Sequence, residues 1–108
     1  MENQHRKIAG YRELSQEEVD LMNRIKTKGA ELLALQKELA EHLNAASHEL
    51  AAAVRDAMAT PGADAPAAAA EFERFNAAEP HRWASIGRTD IQTGIMALVR
   101  AVAQPSGI

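Results

Sequence analysis

A proline-free stretch from residue 15 to residue 60 constrains the fold of this 108-residue chain more than any other feature. Small or apolar side chains, with Gln36 as the one polar exception, recur at alternating steps of four and three residues, the seam of a heptad pattern. The seam consists of Met22, Ile25, Gly29, Leu32, Gln36, Leu39, Leu43, Ala46 and Leu50. This spacing predicts one long α-helix, because such a seam follows a single helical face. A helix of about 40 residues is roughly 60 Å long, so it needs a partner of similar length.

The first helix is predicted over residues 15–59, after a polar N-terminal segment, residues 1–14. Ser15 and Glu18 form the pattern S-x-x-E, in which each residue can satisfy a backbone N–H of the other at a helix start. Two prolines and a glycine then predict a turn region over residues 60–70.

The next residues, 67–75, are open to two interpretations, a short helix or an extended arm, and their alanine content favours helix. Pro80 stands where the first turn of a helix tolerates proline, and the apolar spacing after Trp83 predicts a second long helix over residues 80–104. The predicted fold class is therefore all-α: an antiparallel two-helix hairpin in a single domain, residues 1–108.

The composition predicts that the chain assembles with copies of itself. Among its apolar residues are 23 alanines, which bury little surface each, so a thick core within one chain is not expected. A two-helix hairpin also leaves half of each apolar face uncovered. We expect a homo-oligomer to cover those faces.

Charge and composition exclude several classes of function. A net charge of −3 argues against binding of duplex nucleic acid, which needs an excess of Lys and Arg on one face. No run of 18 apolar residues occurs, so neither a membrane span nor a secretory signal is expected, and the predicted location is the cytoplasm. Cysteine is absent, which excludes disulfides and thiolate metal sites.

No motif for catalysis is present. The four histidines, His5, His42, His48 and His81, lack metal-ligand spacing, and neither a glycine-rich phosphate loop nor a G-x-S-x-G motif occurs. We therefore expect no metal, no cofactor and no enzymatic activity.

Polar and aromatic residues near both helix starts suggest a binding site. Tyr11 and Lys26 combine a flat ring with positive charge, although a tyrosine packed against the next turn and a solvated lysine would also fit. On the second helix a polar stripe follows one face: Ser85, Thr89, Gln92, Met96 and Arg100. An alternative function for Arg88, Asp90, Gln92 and Arg100 is an ion-pair network across an oligomer.

Four blocks of sequence resemble the phage anti-CBASS nucleotide sponges, a family grouped with the Thoeris anti-defence sponges through a shared helical hairpin. They are GYRELS (10–15), VDLMNRIK (19–26), RTDIQTG (88–94) and MALVRAVAQP (96–105). The resemblance implies a homohexamer that sequesters cyclic dinucleotides such as cGAMP, and cyclic trinucleotides, without degrading them. Such a protein would act in the cytoplasm of an infected bacterial host and block activation of the CBASS effector.

The resemblance also implies roles for individual residues. Tyr11 would stack on a base and Lys26 would pair with the phosphates of a cyclic dinucleotide. Further contacts would come from a neighbouring protomer, through Arg88, Thr89, Asp90 and Gln92. A separate trinucleotide site would involve Arg24, Lys28 and Gly29.

Three alternatives remain open: a phosphodiesterase acting on the same ligands, a coiled-coil adaptor, and a sponge for the cyclic ADP-ribose signals of Thoeris.

Overall fold

Three α-helices form the described part of the chain, residues 12–106 of this computed structural model. Helix α1 spans Gln16–Ala59, α2 spans Ala65–Ala77 and α3 spans Pro80–Ala103. No strand occurs among these residues, which confirms the prediction of an all-α fold.

The start of α1 is fixed by the capping pair read from the sequence. The backbone N–H of Glu18 donates to Ser15 Oγ at 3.2 Å, and the backbone N–H of Ser15 donates to Glu18 Oε1 at 3.0 Å. Both N–H groups lie at a helix end, where no carbonyl of the helix can accept from them. Ser15 is therefore the cap, and α1 begins one residue later than the predicted range.

The turn after α1 is shorter than the predicted turn region, residues 60–70. Gly62 has a φ of 84°, a left-handed conformation that glycine adopts without steric cost. Asp64 then caps α2 by accepting a hydrogen bond from the backbone N–H of Ala67 at 3.0 Å. Helix α2 thus begins at Ala65, since Asp64 caps it and the alanines favour helix. Pro66 does not prevent this, because proline is tolerated in a first helical turn.

A second sharp turn separates α2 from α3. Glu79 has a φ of 51°, and Pro80 follows it as the first residue of α3. A proline at this position loses no hydrogen bond, since the first N–H groups of a helix have no partner within it. Helix α3 ends at Ala103, followed by Gln104 with a φ of 49°. Residues 67–75 are helical, the first of the two interpretations.

Contacts between residues divide the chain into two units. The first contains the chain up to Ala34 together with the part from Arg88 onwards, and the second is Leu35–Gly87. Both α1 and α3 contribute to each unit.

In the second unit, side chains of α1 bond to α3. Gln36 Nε2 donates to the carbonyl of Ala84 at 3.0 Å, and Asn44 Oδ1 lies 3.1 Å from His81 Nε2. The His81 ring meets the edge of Phe75 with 6.0 Å between ring centroids. Because increasing numbers on α1 face decreasing numbers on α3, the two helices are antiparallel here.

The face of α1 that is covered differs from the predicted seam at two positions. Leu32 and Leu39 remain 49% and 47% exposed, whereas Leu33 and Ala40 are partly buried. The covered positions drift along α1 because an ordinary helix has 3.6 residues per turn rather than the 3.5 of a strict heptad.

The core of the described chain is thin, as the alanine content suggests. Its buried apolar residues are Phe75, Ala84 and Ala103. Large apolar side chains that stay exposed are Leu21, Leu32, Leu35, Leu39, Met58, Trp83, Met96 and Leu98. None of the helices within residues 12–106 combines the length and hydropathy that crossing a bilayer requires.

Candidate functional site

A groove of about 550 Å³ in the first unit is lined by Lys26 and by one face of α3; we call it the Lys26 groove. Its wall is mainly apolar, and Lys26 and Arg100 are its cationic side chains, both exposed. Such a surface can accept a flat ring against the wall and an anion at the cations. Its lining is Lys26, Thr93, Ile95, Met96, Ala97, Val99, Arg100, Ala103 and Pro105.

A second groove of the first unit, about 490 Å³, lies around Gly29; we call it the Gly29 groove. It also combines an apolar wall with two exposed cations, here Arg24 and Lys28. Its lining is Leu21, Arg24, Ile25, Lys28, Gly29, Leu32, Ile91, Gly94, Ile95 and Leu98.

Helix geometry explains why different cationic side chains of α1 line the two grooves. Arg24 and Lys28 are four residues apart, so they lie on the same face of α1. Lys26 is two residues from each, which rotates its side chain by about 200° to the other side of the helix. The short stretch of α1 that carries three cations therefore supplies two separate surfaces.

In the first unit, α3 approaches α1 closely at Gly29. A Cβ atom at Gly29 would lie 2.3 Å from Ile95 Cδ1 and 2.6 Å from Ile95 Cγ1, far inside contact distance. Gly94 of α3 has no such contact, since an added Cβ there would meet nothing within 4 Å. Gly29 is thus buried as the contact surface for Ile95 and also borders a groove.

The structure brings some of the predicted site residues together and separates others. Lys26 lies in one groove, and Arg24, Lys28 and Gly29 lie in the other. The remaining described candidates are exposed on α3 and line neither groove: Arg88, Thr89, Asp90 and Gln92. Tyr11 lies outside the described residues.

Apart from Lys26, the residues that line the Lys26 groove were absent from the predicted site, among them Thr93, Met96 and Arg100. Two of them, Met96 and Arg100, belong to the polar stripe recognised on the second helix. The stripe indicated the correct face, but spacing alone does not tell which part of a helical face borders a groove.

The cations differ in the partners they already have. Lys28 Nζ lies 3.5 Å from Glu31 Oε2, an exposed pair between residues three apart. Within residues 12–106, the side chains of Lys26 and Arg24 make no hydrogen bond or ion pair, and those of Arg88 and Asp90 make none either. The alternative of an ion-pair network across an oligomer stays a prediction. No group of three His, Asp or Glu residues that could hold a metal ion occurs in this part of the chain.

Arg12 connects the start of α1 to the end of α3. Its guanidinium donates to both carboxylate oxygens of Glu18, with 3.2 Å between Nη1 and Oε1, and Nη2 also donates to the carbonyl of Val102 at 2.8 Å. A planar guanidinium facing a carboxylate with two parallel bonds has a fixed orientation. We call this arrangement the Arg12 clamp.

The clamp lowers the pKa of Glu18 to about 2 from its usual 4.5, chiefly through the hydrogen bonds from Arg12 and with help from the N–H of Ser15. The same contact raises the pKa of Arg12. Glu18 therefore stays ionised, and the clamp stays intact, across the whole physiological range.

A pH dependence of stability follows from this pKa. Because the folded pKa of Glu18 is lowered, the stability it adds is present above pH 4.5 and is lost as the pH falls toward 2. We expect Glu18→Gln to lower the melting temperature at pH 7, and the difference from the unmodified protein to shrink steadily below pH 4.5. Melting curves followed by circular dichroism from pH 2.5 to 8 measure this. A difference that stays constant over the whole range would contradict it.

These helices define the class of the protein, a small all-α chain whose long helices run antiparallel within a unit. A family model described as Acb2/Tad1, hairpin domain, matches residues 67–103. The chain is also 57% identical over 107 residues to anti-CBASS protein 2 of Pseudomonas phage JBD67, and the alignment covers 99% of each chain. The chain therefore belongs to the family of anti-CBASS protein 2, which confirms the resemblance read from the four sequence blocks.

Proposed function

We propose that this chain is a phage anti-CBASS protein that binds cyclic oligonucleotide immune signals and holds them chemically unchanged. The observation that carries the proposal is its 57% identity to anti-CBASS protein 2 along nearly the whole length of both chains. At this similarity the helices and the grooves between them are expected to be common to both proteins. The signal is removed by sequestration, so no catalytic residue is assigned.

In this proposal the Lys26 groove takes a cyclic dinucleotide. The ligand has two phosphates and two bases, and the groove offers Lys26 and Arg100 beside a mainly apolar wall. A lysine ammonium forms charge-assisted hydrogen bonds with phosphate, and an arginine fork can bind two oxygens at once. Tyr11 would add stacking on a base, which tolerates any base because each presents a π-face.

The proposal also includes a homohexamer that completes these sites. The Lys26 groove is open to one side in a single chain, while Arg88, Thr89, Asp90 and Gln92 are exposed elsewhere on α3. In an oligomer, those four residues would reach a ligand held by a neighbouring protomer. Exposed large apolar side chains such as Leu21 and Leu98 support association, because a soluble chain rarely leaves many of them uncovered.

The Gly29 groove is the proposed site for a cyclic trinucleotide. Arg24 and Lys28 provide positive charge on its rim, and the exchange of Glu31 for a phosphate as the partner of Lys28 costs little, since exposed ion pairs contribute at most about 1 kcal/mol. Because the two grooves use opposite sides of α1, one molecule could hold both kinds of ligand together.

A ligand-recovery experiment tests the function. The purified protein is incubated with cyclic di- and trinucleotides and a cyclic ADP-ribose isomer, filtered, and heated to denature it, and the released compounds are identified by chromatography. We expect at least one cyclic oligonucleotide to be retained and recovered intact. Retention of none would contradict the proposal, and a linear product would favour the phosphodiesterase.

The two non-enzymatic alternatives give different results in the same experiment. A sponge of the Thoeris type would retain the cyclic ADP-ribose compound and release the cyclic oligonucleotides in the filtrate. A coiled-coil adaptor would retain none of the compounds.

A further inference from the structure

We propose that helix α3 reads a nucleobase in the Lys26 groove, with Met96 against the face of the ring and Thr93 accepting a hydrogen bond from an N–H on its edge. Both residues line the groove, as does Arg100. This inference rests on the proposed function, because it takes a cyclic dinucleotide as the ligand of that groove. It adds which part of the ligand each side chain of α3 meets.

Three different kinds of side chain follow one another along the α3 wall of the groove. Thr93, Met96 and Arg100 are three and four residues apart, so they are neighbours on one face of the helix. The distance from Thr93 to Arg100 along the helix axis is about 10 Å, at about 1.5 Å per residue. The wall therefore changes from a hydroxyl, through a thioether, to a guanidinium.

This order matches the order of groups in a nucleotide. A guanidinium binds phosphate oxygens with two parallel hydrogen bonds, which assigns the phosphate to the Arg100 end of the wall. The base of the same nucleotide then lies toward Met96 and Thr93, nearer the start of α3. The opposite orientation would place the phosphate at a hydroxyl and the base at a charged group, a poorer chemical match.

Met96 is suited to contact the face of the ring. Its side chain is 71% exposed, so its thioether is accessible to a ligand in the groove. Sulfur is polarisable and makes favourable contacts with aromatic rings. Such a contact holds the base without selecting it, because every base presents a π-face.

Thr93 adds a direction to the recognition. Its Oγ1 donates to the carbonyl of Thr89 at 2.8 Å. A hydroxyl has one hydrogen and two lone pairs, so in this arrangement Thr93 offers a ligand only an acceptor. The amino groups of adenine and guanine are donors that such an acceptor can bind. A ring edge that carries only lone pairs gains nothing from it.

The test compares Thr93→Val and Thr93→Ser with Thr27→Val as the matched control. Valine keeps the branched shape and removes the oxygen, whereas serine keeps the hydroxyl. Thr27 is an exposed threonine of α1 that lines neither groove. Binding is measured by calorimetry with cGAMP and with an analogue whose two bases are unsubstituted purine, which carries no N–H on its edge.

We expect the unmodified protein to bind cGAMP more tightly than the analogue. Thr93→Val should weaken cGAMP binding about fivefold and change binding of the analogue by less than about twofold. Thr93→Ser and Thr27→Val should keep the preference for cGAMP. An equal loss of both ligands in Thr93→Val, or no loss of either, would overturn the inference. Absence of binding of either ligand to the unmodified protein would instead overturn the proposed function.

Oxidation of methionine tests the contact with the face of the ring. Hydrogen peroxide converts an exposed thioether to the sulfoxide, and mass spectrometry of peptides follows Met96 and Met58 separately. Met58 is the internal control, because it is 76% exposed and lines neither groove. We expect saturating cGAMP to slow oxidation of Met96 at least about fivefold and to leave the rate at Met58 unchanged. A rate at Met96 that the ligand does not change would overturn its contact with the base.

Discussion

Replacing Lys26 by alanine is expected to weaken capture of a cyclic dinucleotide by about 10- to 100-fold. A hydrogen bond to a charged group is worth about 1.5 to 3 kcal/mol, and each 1.4 kcal/mol corresponds to a factor of ten. Lys26 is the one cation that α1 supplies to the Lys26 groove, and no residue within the described chain competes for its ammonium group. Calorimetry with cGAMP measures the loss.

Two comparisons make this result specific. Lys37→Ala removes another exposed lysine of α1, which lines neither groove, and should bind cGAMP normally. The double variant Arg24→Ala with Lys28→Ala should keep dinucleotide binding but lose capture of a cyclic trinucleotide. If Lys26→Ala weakens the binding of the dinucleotide and of the trinucleotide equally, the assignment of the two ligands to separate grooves is wrong.

The fold was predictable where local chemistry determines it. The S-x-x-E pattern at Ser15 located the start of α1, and Pro80 located the start of α3, because both act within one helical turn. The cap at Asp64 was missed, so the predicted turn region ran on into α2. Prolines and glycines dominated that prediction, yet one carboxylate that accepts from the N–H of Ala67 is enough to begin a helix directly after them.

The candidate site was predictable only in part, because it depends on which helical faces meet. Lys26 and the pair Arg24 and Lys28 were identified from the resemblance, and their separation into two grooves follows from spacing along α1. The position of Arg100 in the Lys26 groove could not be predicted from the sequence, because it depends on how α3 packs against α1. The bond between Arg12 and Val102 joins residues 90 positions apart, a contact that no local pattern indicates.

The proposed sequestration would require slow release, which relates the grooves to the proposed hexamer. Differences in affinity between related complexes arise mainly from dissociation rates. A single open groove exposes its ligand to water, whereas a second protomer placed over it would have to move before the ligand leaves. If the proposed hexamer forms, we expect it to lengthen the residence time of the ligand more than it accelerates capture.

Gly29→Ala is the substitution within the fold for which we expect the largest loss of stability. The added methyl group would overlap Ile95 Cγ1 as well as Cδ1, and the position of Cγ1 is set by χ1, which is stiff in a β-branched side chain. Overpacking of this kind costs about 1 to 3 kcal/mol, which exceeds the gain of about 1 kcal/mol that alanine has over glycine in a helix. The melting temperature of the variant should therefore fall.

Gly94→Ala and Gly87→Ala are the matched controls for that loss. Both positions lie inside α3, and a methyl group at either meets nothing within 4 Å. Alanine has a higher helix propensity than glycine, so each substitution should raise the free energy of unfolding by up to about 1 kcal/mol. The melting temperature should rise with it. Thermal unfolding of the three variants at equal protein concentration measures these changes in melting temperature. A Gly29→Ala variant as stable as the unmodified protein would mean that α3 can move away from α1 at this crossing. A loss of stability in Gly94→Ala alone would place a neighbouring protomer against the Gly29 groove.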